Sequence, residues 1–384
     1  MNMQVDKLVS RNLTSVLGLP FDNVTTDDVV EKIRECCLTG TRCFLTTPNL
    51  NFAITASSDN EFFNSVVASD LSIADGMPIV LLARLIGEQL PERVAGSTVF
   101  ESLSSTSATE RKLKVFFFGG QPGVAEKAHN KLNESSQGLE ACGWHDPGFV
   151  SVEDMSNHEI IEMINAAAPD FLVLALGARK GQEWLMRNRH ALRVPVISHL
   201  GAVINFVAGE VSRAPRLVQK LGFEWLWRIK EEPSLWRRYW SDGIELIKCL
   251  IHQVLPLAVV RFLERSRPNK SKSSRQVNFQ QSDQGFTVVC SGFLDDNALQ
   301  EVKQRFYEIL CTGSNITLNL TEATSISQQW IGFLLALQRN LADRDRCLFM
   351  QLPSQRIMRI FRYSNVLKRF HIIDSSEANA EFNV

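Results

Sequence analysis

A carboxylate at the end of a strand can take a proton, and the stretch SIADGMPIV, residues 72–80, puts Asp75 in such a place. Held where a strand gives way to a glycine turn, that acid could serve as a general base. It could equally cap the helix that begins near Met77, with Pro78 in its first turn. Upstream, TTPNLN (46–51) offers Thr47 and Asn49, whose hydroxyl and amide can hydrogen-bond sugar hydroxyls or a diphosphate. Thr-Pro-Asn is also a turn signal in its own right. Downstream, FFFGGQPGVAEKA sets Gly119 and Gly120 between a strand and a helix, where amides and the helix dipole suit phosphate. LGARKGQEWL (176–185) repeats that layout with Gly177, and its Lys180 and Gln182 could reach a nucleotide; a capped amphipathic helix is the plain alternative. Neither glycine turn has the full GxxxxGK[ST] or GxGxxG pattern.

Such groups need a frame that brings strand ends together. From Thr41 to about Pro195, apolar strands alternate with helical periodicity: CFLTT before a helix near 50–58, DLSIAD before 77–87, KVFFFGG before 124–135, DFLVLALG before 181–192, then VPVISHLG. Near-continuous apolar strands, each followed by a helix, predict a mainly parallel α/β sheet covered on both faces. Ligands of such sheets lie beyond the carboxyl ends of the strands. From residue 217 to about 263 the pattern turns helical, and four of the seven tryptophans (225, 227, 236, 240) interleave with Arg228, Lys230, Arg237 and Arg238. SRPNKSKSSRQ has the composition of a charged linker. The predicted division is a core over 1–210, a basic helical appendage over 211–265, a linker over 266–276 and a smaller α/β domain over 277–384.

Charge and cysteine content narrow the classes. Between Val211 and Arg275 fourteen Lys or Arg stand against six Asp or Glu, in a chain whose net charge is −1. A basic block of that kind can meet phosphates or an anionic bilayer, or simply be a solvated face. Because the rest of the chain is acidic, nucleic acid is not the expected partner. The eight cysteines show no CxxC pair, so neither a zinc site nor a disulfide framework is predicted, and reduced thiols in the cytoplasm are expected. No signal peptide is expected at MNMQVDKLVSRNL, no uncharged stretch approaches the ~18 apolar residues of a spanning helix, and the stretch that comes nearest is expected to be too polar to span a bilayer. IELIKCLIHQVLPLAVVRFLERSR, broken by Glu245, Lys248, His252 and Arg261, suits a helix lying in the interface or one packed on its own domain.

Taken in order, TTPNLN, ADGMPIV, LPERVAGS, FFFGGQPGVAEKA, LGARKGQEW, HLGAVINFVAGEVSRAP and GFEWLWRIKEEPSLWRRY resemble the WecG/TagA/CpsF family of bacterial glycosyltransferases over about residues 15–250. The resemblance implies a Rossmann-like enzyme that transfers a sugar, typically of N-acetylmannosamine type, from a UDP donor with inversion and without a required metal. The implied acceptor is a sugar on a polyprenyl diphosphate at the cytoplasmic membrane face, and the implied setting is exopolysaccharide or cell-envelope glycan synthesis. It makes Asp75 the general base, places Thr47 and Asn49 against the transferred sugar or its nucleotide, and makes Arg93, the arginine of the ERV motif, a substrate-binding residue. It gives Arg213, Arg216, Arg228, Arg237 and Arg238 to diphosphates and the bilayer. Where the family has G-x-P-K-Q-E, this chain has Gly177-Ala178-Arg179-Lys180-Gly181-Gln182-Glu183, so Gln182 takes the glutamine role by a one-residue shift. No DxD pair of the metal-holding kind accompanies Asp75.

From about Val277 to Asp374 the chain resembles a STAS domain, with Ser327-Gln328-Gln329-Trp330 where that family has Asp-Ser-Ser-Gly. Gln328 replaces the serine that regulatory members phosphorylate, so the resemblance implies docking of a protein partner rather than a phospho-switch. Ser327 is expected to be a helix cap. The rival reading of the whole chain is a catalytically silent adaptor that binds a nucleotide-sugar and relays that state through the C-terminal domain. The oligomeric state is left open, a homo-oligomer included.

Overall fold

The computed structural model describes residues 3–108, 110–220, 222–265, 275–282, 285–351 and 354–373. Its first strands form a hairpin: β1 (Leu13–Val16) and β2 (Leu19–Asp22) pair antiparallel across Leu17 and Gly18. Both turn residues have positive φ, +51° and +84°, the twist that a two-residue hairpin requires.

Next come β3 (Cys43–Thr46), β4 (Leu71–Ser72), β5 (Leu113–Gly119), β6 (Leu139–His145), β7 (Phe171–Ala175) and β8 (Val196–His199). They form a wholly parallel sheet in the order β4-β3-β8-β7-β5-β6. Alternation along each strand explains why both faces are apolar. Leu45, Val115, Phe117, Val173 and Val196 fill one core, whereas Phe44, Phe116, Phe118, Leu172, Leu174 and Ile197 fill the other. Trp184 stacks on Phe118 at 4.7 Å and donates its indole N–H to the Met155 carbonyl at 2.9 Å, which anchors the helix Ala178–Asn188 against the second core. The α/β class and the parallel sheet match the expectation. Two boundaries differ: DLSIAD keeps only Leu71–Ser72 as ladder, and the helix expected from Gly181 begins at Ala178, directly after Gly177.

β9 (Gln276–Ser282), β10 (Gly285–Leu294), β11 (Ile316–Ile326), β12 (Leu348–Gln351) and β13 (His371–Ile373) form a second sheet in the order β13-β12-β11-β10-β9. It is parallel except for the antiparallel edge strand β9. Of the expected linker 266–276, residues 266–274 lie outside the described residues and Gln276 already belongs to β9.

The chain divides into two compact units, one of Val24–Val80 and Pro91–Ile244, the other of Met1–Asn23, Leu81–Leu90 and Glu245–Val384. The hairpin falls in the second of these because it packs on the helix Gln328–Ala342. A Cβ at Gly332 would lie 3.2 Å from Leu13 and Ser15, so glycine is what lets the backbones approach. Lys303 adds a 2.7 Å bond to the Arg11 carbonyl, and Arg11 grips Asp22 through two nitrogens. With a sheet on one side and a hairpin on the other, that helix is buried almost all round, which accounts for its apolar composition.

One expectation is corrected. The helical run Pro233–Glu264 is long and apolar enough, by length and composition, to cross a membrane. Arg237, Arg238, Asp242, Glu245 and Lys248 lie in its first half and Arg261 and Glu264 near its end, and no Asp, Glu, Lys or Arg lies between Lys248 and Arg261. It comprises Trp236–Cys249, a π-helical stretch Leu250–Val254, and Leu255–Arg265.

Candidate active site

The carboxyl ends of the parallel strands collect the residues singled out by their chemistry. Thr47 and Asn49 follow β3, Asp75 follows β4, Gly119 and Gly120 close β5, and Gly177 follows β7. Backbone bonds fix the first of these turns to the second: the Asp75 amide donates to the Pro48 carbonyl at 3.0 Å, and the Val94 amide to the Ala74 carbonyl at 3.0 Å. Gly76 takes φ +137°, a backbone that side-chain-bearing residues rarely adopt, and so turns the chain away after Asp75. Opposite lies Gly96 of the ERVAGS segment, where a Cβ would fall 2.5 Å from Leu200 and 3.2 Å from Thr47. Lacking one, its backbone N–H reaches the Asp75 carboxylate. Asp75 therefore takes an amide from a neighbouring segment.

Three charged side chains face that carboxylate: Arg93, Glu224 and Arg228. Arg93 Nη1 donates to Glu224 Oε2 at 2.6 Å, with the two side chains only 11% and 23% exposed. Arg228 is hydrogen-bonded to Tyr239 and lies over the Phe206 ring at 5.4 Å. Burial raises the Asp75 pKa to about 6, the Glu224 charge pushes the same way, and the two guanidinium groups and the Gly96 amide hold it back. Asp75 is still partly open to solvent. An acid in that condition is ionised at neutral pH yet basic enough to accept a proton.

The remaining predicted residues divide. Asn49 caps the helix Leu50–Ser58, its Oδ1 accepting the Phe52 amide at 3.2 Å, and its Nδ2 makes no hydrogen bond among the described residues. Gln182 is 1% exposed, and among the described residues both ends of its amide lack a partner. A buried amide left unpaired costs about 1–3 kcal/mol, which a ligand can repay. Gly120 donates its N–H to the Ala175 carbonyl at 2.9 Å, so that amide is taken up in the turn. Lys180 binds the Val150 carbonyl at 3.1 Å. Arg213 is tied to Glu101, Ser97 and Thr98, and Arg238 pairs with Asp242 at 3.8 Å. Arg237 lies over the neighbouring Trp236 ring at 5.8 Å. Arg216 opens the helix Arg216–Lys220, and its side chain lies outside the described residues. Asn51 Nδ2 reaches Asp242 at 3.0 Å, joining the β3 turn to the helix Trp236–Cys249.

Glu224 and Tyr239 escape a reading of sequence. The only local signal is an acid at the start of a helix, Glu224–Glu231, otherwise read as a basic, aromatic face. Among the described residues no group of three or more His, Cys, Asp or Glu is placed to hold a metal ion.

Residues 14–258 match the glycosyl transferase WecG/TagA/CpsF family, which is close to two thirds of the chain. The chain belongs to this family. Several named relatives are similar over the same region, each called N-acetylglucosaminyldiphosphoundecaprenol N-acetyl-beta-D-mannosaminyltransferase. That of Bacillus spizizenii W23 is 29% identical over 210 residues, covering 55% of this chain and 79% of its own. That of Bacillus subtilis 168 is 27% identical over 197 residues, covering 51% and 75%. That of Staphylococcus aureus NCTC 8325 is 24% identical over 228 residues, covering 59% and 87%. This WecG/TagA/CpsF member is accordingly a glycosyltransferase, and its Asp75 cluster lies inside the matched segment.

Proposed function

We propose that the enzyme moves a sugar of N-acetylmannosamine type from a UDP donor onto a sugar carried by a polyprenyl diphosphate, with Asp75 as base. One observation carries this reading: an acid at the carboxyl edge of the sheet, faced by two arginines and held near pKa 6. The acceptor hydroxyl attacks the anomeric carbon as its proton passes to Asp75. The bond to UDP breaks with its electron pair going to the β-phosphate oxygen, and the configuration inverts. Arg93 and Arg228 meet the charge that grows on the leaving diphosphate through charge-assisted bonds. Thr47, Asn49 and Gln182 address the donor, and the Gly119–Gly120 and Gly177 turns leave room for its phosphates. No metal is required in this scheme, so a chelator leaves the rate unchanged. The relatives' names support the acceptor class. Incubation with a panel of UDP-sugars and polyprenyl-diphosphate sugars, followed by UDP release, tests the reading; no release with any pair, while the donor still binds, favours the silent adaptor.

The enzyme works, on this view, from the cytoplasmic side as a peripheral membrane protein. Trp236, Trp240, Ile244, Ile247, Ile251, Leu255, Val259 and Phe262 follow one another at three- and four-residue spacing and are 44–69% exposed. Basic and aromatic residues interleaved with such a stripe suit an anionic interface. Liposome flotation of the whole chain and of variants with Trp236, Trp240 and Phe262 changed to serine tests this, retention of the variants counting against it. The C-terminal region acts as a STAS-like docking module. Supporting a scaffold role, Ser327 caps its helix through the Trp330 amide at 3.3 Å, and Gln328 is buried with its Nε2 on Ser364 Oγ at 2.9 Å.

A further inference from the structure

We infer that Glu224 is a positioning residue for the transfer, one that holds a single edge of the Arg93 guanidinium so that its other edge is presented to the donor's phosphates. The inference rests on the reading of Asp75 and Arg93 given above.

A guanidinium carries five N–H donors in a rigid plane, and its two edges can serve different partners. Here one nitrogen, Nη1, is fixed by Glu224 at 2.6 Å, and among the described residues this is the only ion pair of either side chain. The contact is mostly shielded from water, so it restrains the arginine more firmly than a surface pair does. Arg93 follows the sheet's β4 turn by less than twenty residues, whereas Glu224 begins a helix 131 residues later in sequence. A contact of that range has no part in forming either local element; its consequence is where Arg93 points.

The same carboxylate has a second effect. Asp75 is faced by Arg93, Glu224 and Arg228 and by the Gly96 amide, and Tyr239 bonds to Arg228 from the helix Trp236–Cys249. With two arginines nearby and no second acid, Asp75 would be held as a weaker base. Glu224 offsets one of those positive charges and preserves its basicity.

The experiment compares Glu224→Gln, Glu224→Ala, Arg93→Ala and the Arg93→Ala/Glu224→Ala double variant in the full-length enzyme, with UDP-sugar and lipid-linked acceptor. Glu224→Ala should raise the donor KM about tenfold, the size expected for a charge-assisted bond. Glu224→Gln, which keeps an acceptor for Arg93 but loses the charge, should raise it less. In both, the acid limb of kcat/KM should move to lower pH. The double variant should bind donor no worse than Arg93→Ala alone, because Glu224 acts through Arg93. A Glu224 that merely stabilises the fold would lower Tm and leave the limb where it is. Wild-type KM and an unmoved limb in the Glu224 variants, with Arg93→Ala impaired, would overturn this inference alone. An Arg93→Ala enzyme with unaltered donor KM would instead remove the reading beneath it.

Discussion

Asp170 and Asp75 stand at opposite edges of one parallel sheet and live under opposite conditions. Asp170, at the amino end of β7, is saturated: Arg111 grips both its oxygens, at 2.5 and 2.7 Å, and the Lys114 amide adds a third bond at 2.7 Å. Asp70 does similar work at that edge, accepting the Phe44 amide at 2.8 Å. These carboxylates fasten strand ends. Asp75 at the carboxyl edge receives one backbone amide, faces mixed charges and stays near pKa 6. The difference teaches that an acid whose bonds are all made inside the fold has little left to offer a substrate. An acid kept unsatisfied destabilises the fold in exchange for reactivity.

The sharpest way to break the contrast is to neutralise each acid in turn. Asp75→Asn should cut turnover by ~10²–10⁴ while donor binding is nearly kept. A turnover within a fewfold of wild type would end its assignment as base. The same substitution should not lower stability. A carboxyl whose pKa is raised on folding contributes its stability below the unfolded value of 3.8 and loses it as pH rises through about 6. At pH 7.5 its ionisation costs the fold about 3 kcal/mol, so the asparagine variant should melt higher, as calorimetry can measure. Asp170→Asn should do the reverse, lowering stability by roughly 1–3 kcal/mol with kcat retained in what remains folded. An effect of similar size on stability, with none expected on the base, comes from a glycine in the helix that follows β7. A Cβ at Gly181 would fall 2.2 Å from the His199 ring, which burial keeps neutral, so Gly181→Ala should cost about 1–3 kcal/mol by overpacking. An unchanged Tm would mean that the helix Ala178–Asn188, whose first turn carries the altered GARKGQ sequence, shifts easily.

Much of this edge could be read in advance, because β3, β5, β7 and β8 are short apolar runs ending in Thr, Gly, Ala and His respectively, and the strand-then-helix rhythm sets the site's location. The β1–β2 hairpin escaped because its turn is Leu-Gly rather than Asn-Gly and its strands are four residues each. β6, LEACGWH, is an edge strand with a mixed pattern and a glycine pressed on Phe116. Glu224 was invisible for a different reason. Its partner lies 131 residues away, and no periodicity records a contact of that length. The long helix was judged by its scattered charges, although the uncharged run between Lys248 and Arg261 makes its second half apolar enough to pass by length and composition.

The pH dependence of kcat/KM for the wild-type enzyme, measured with saturating acceptor from pH 4.5 to 8.5, bears most directly on Asp75 as base. A single-proton acid limb near pH 6, with a plateau above it, is the predicted result. A profile flat through this range, or one whose limb lies near pH 4 as for an ordinary exposed carboxylate, would contradict it.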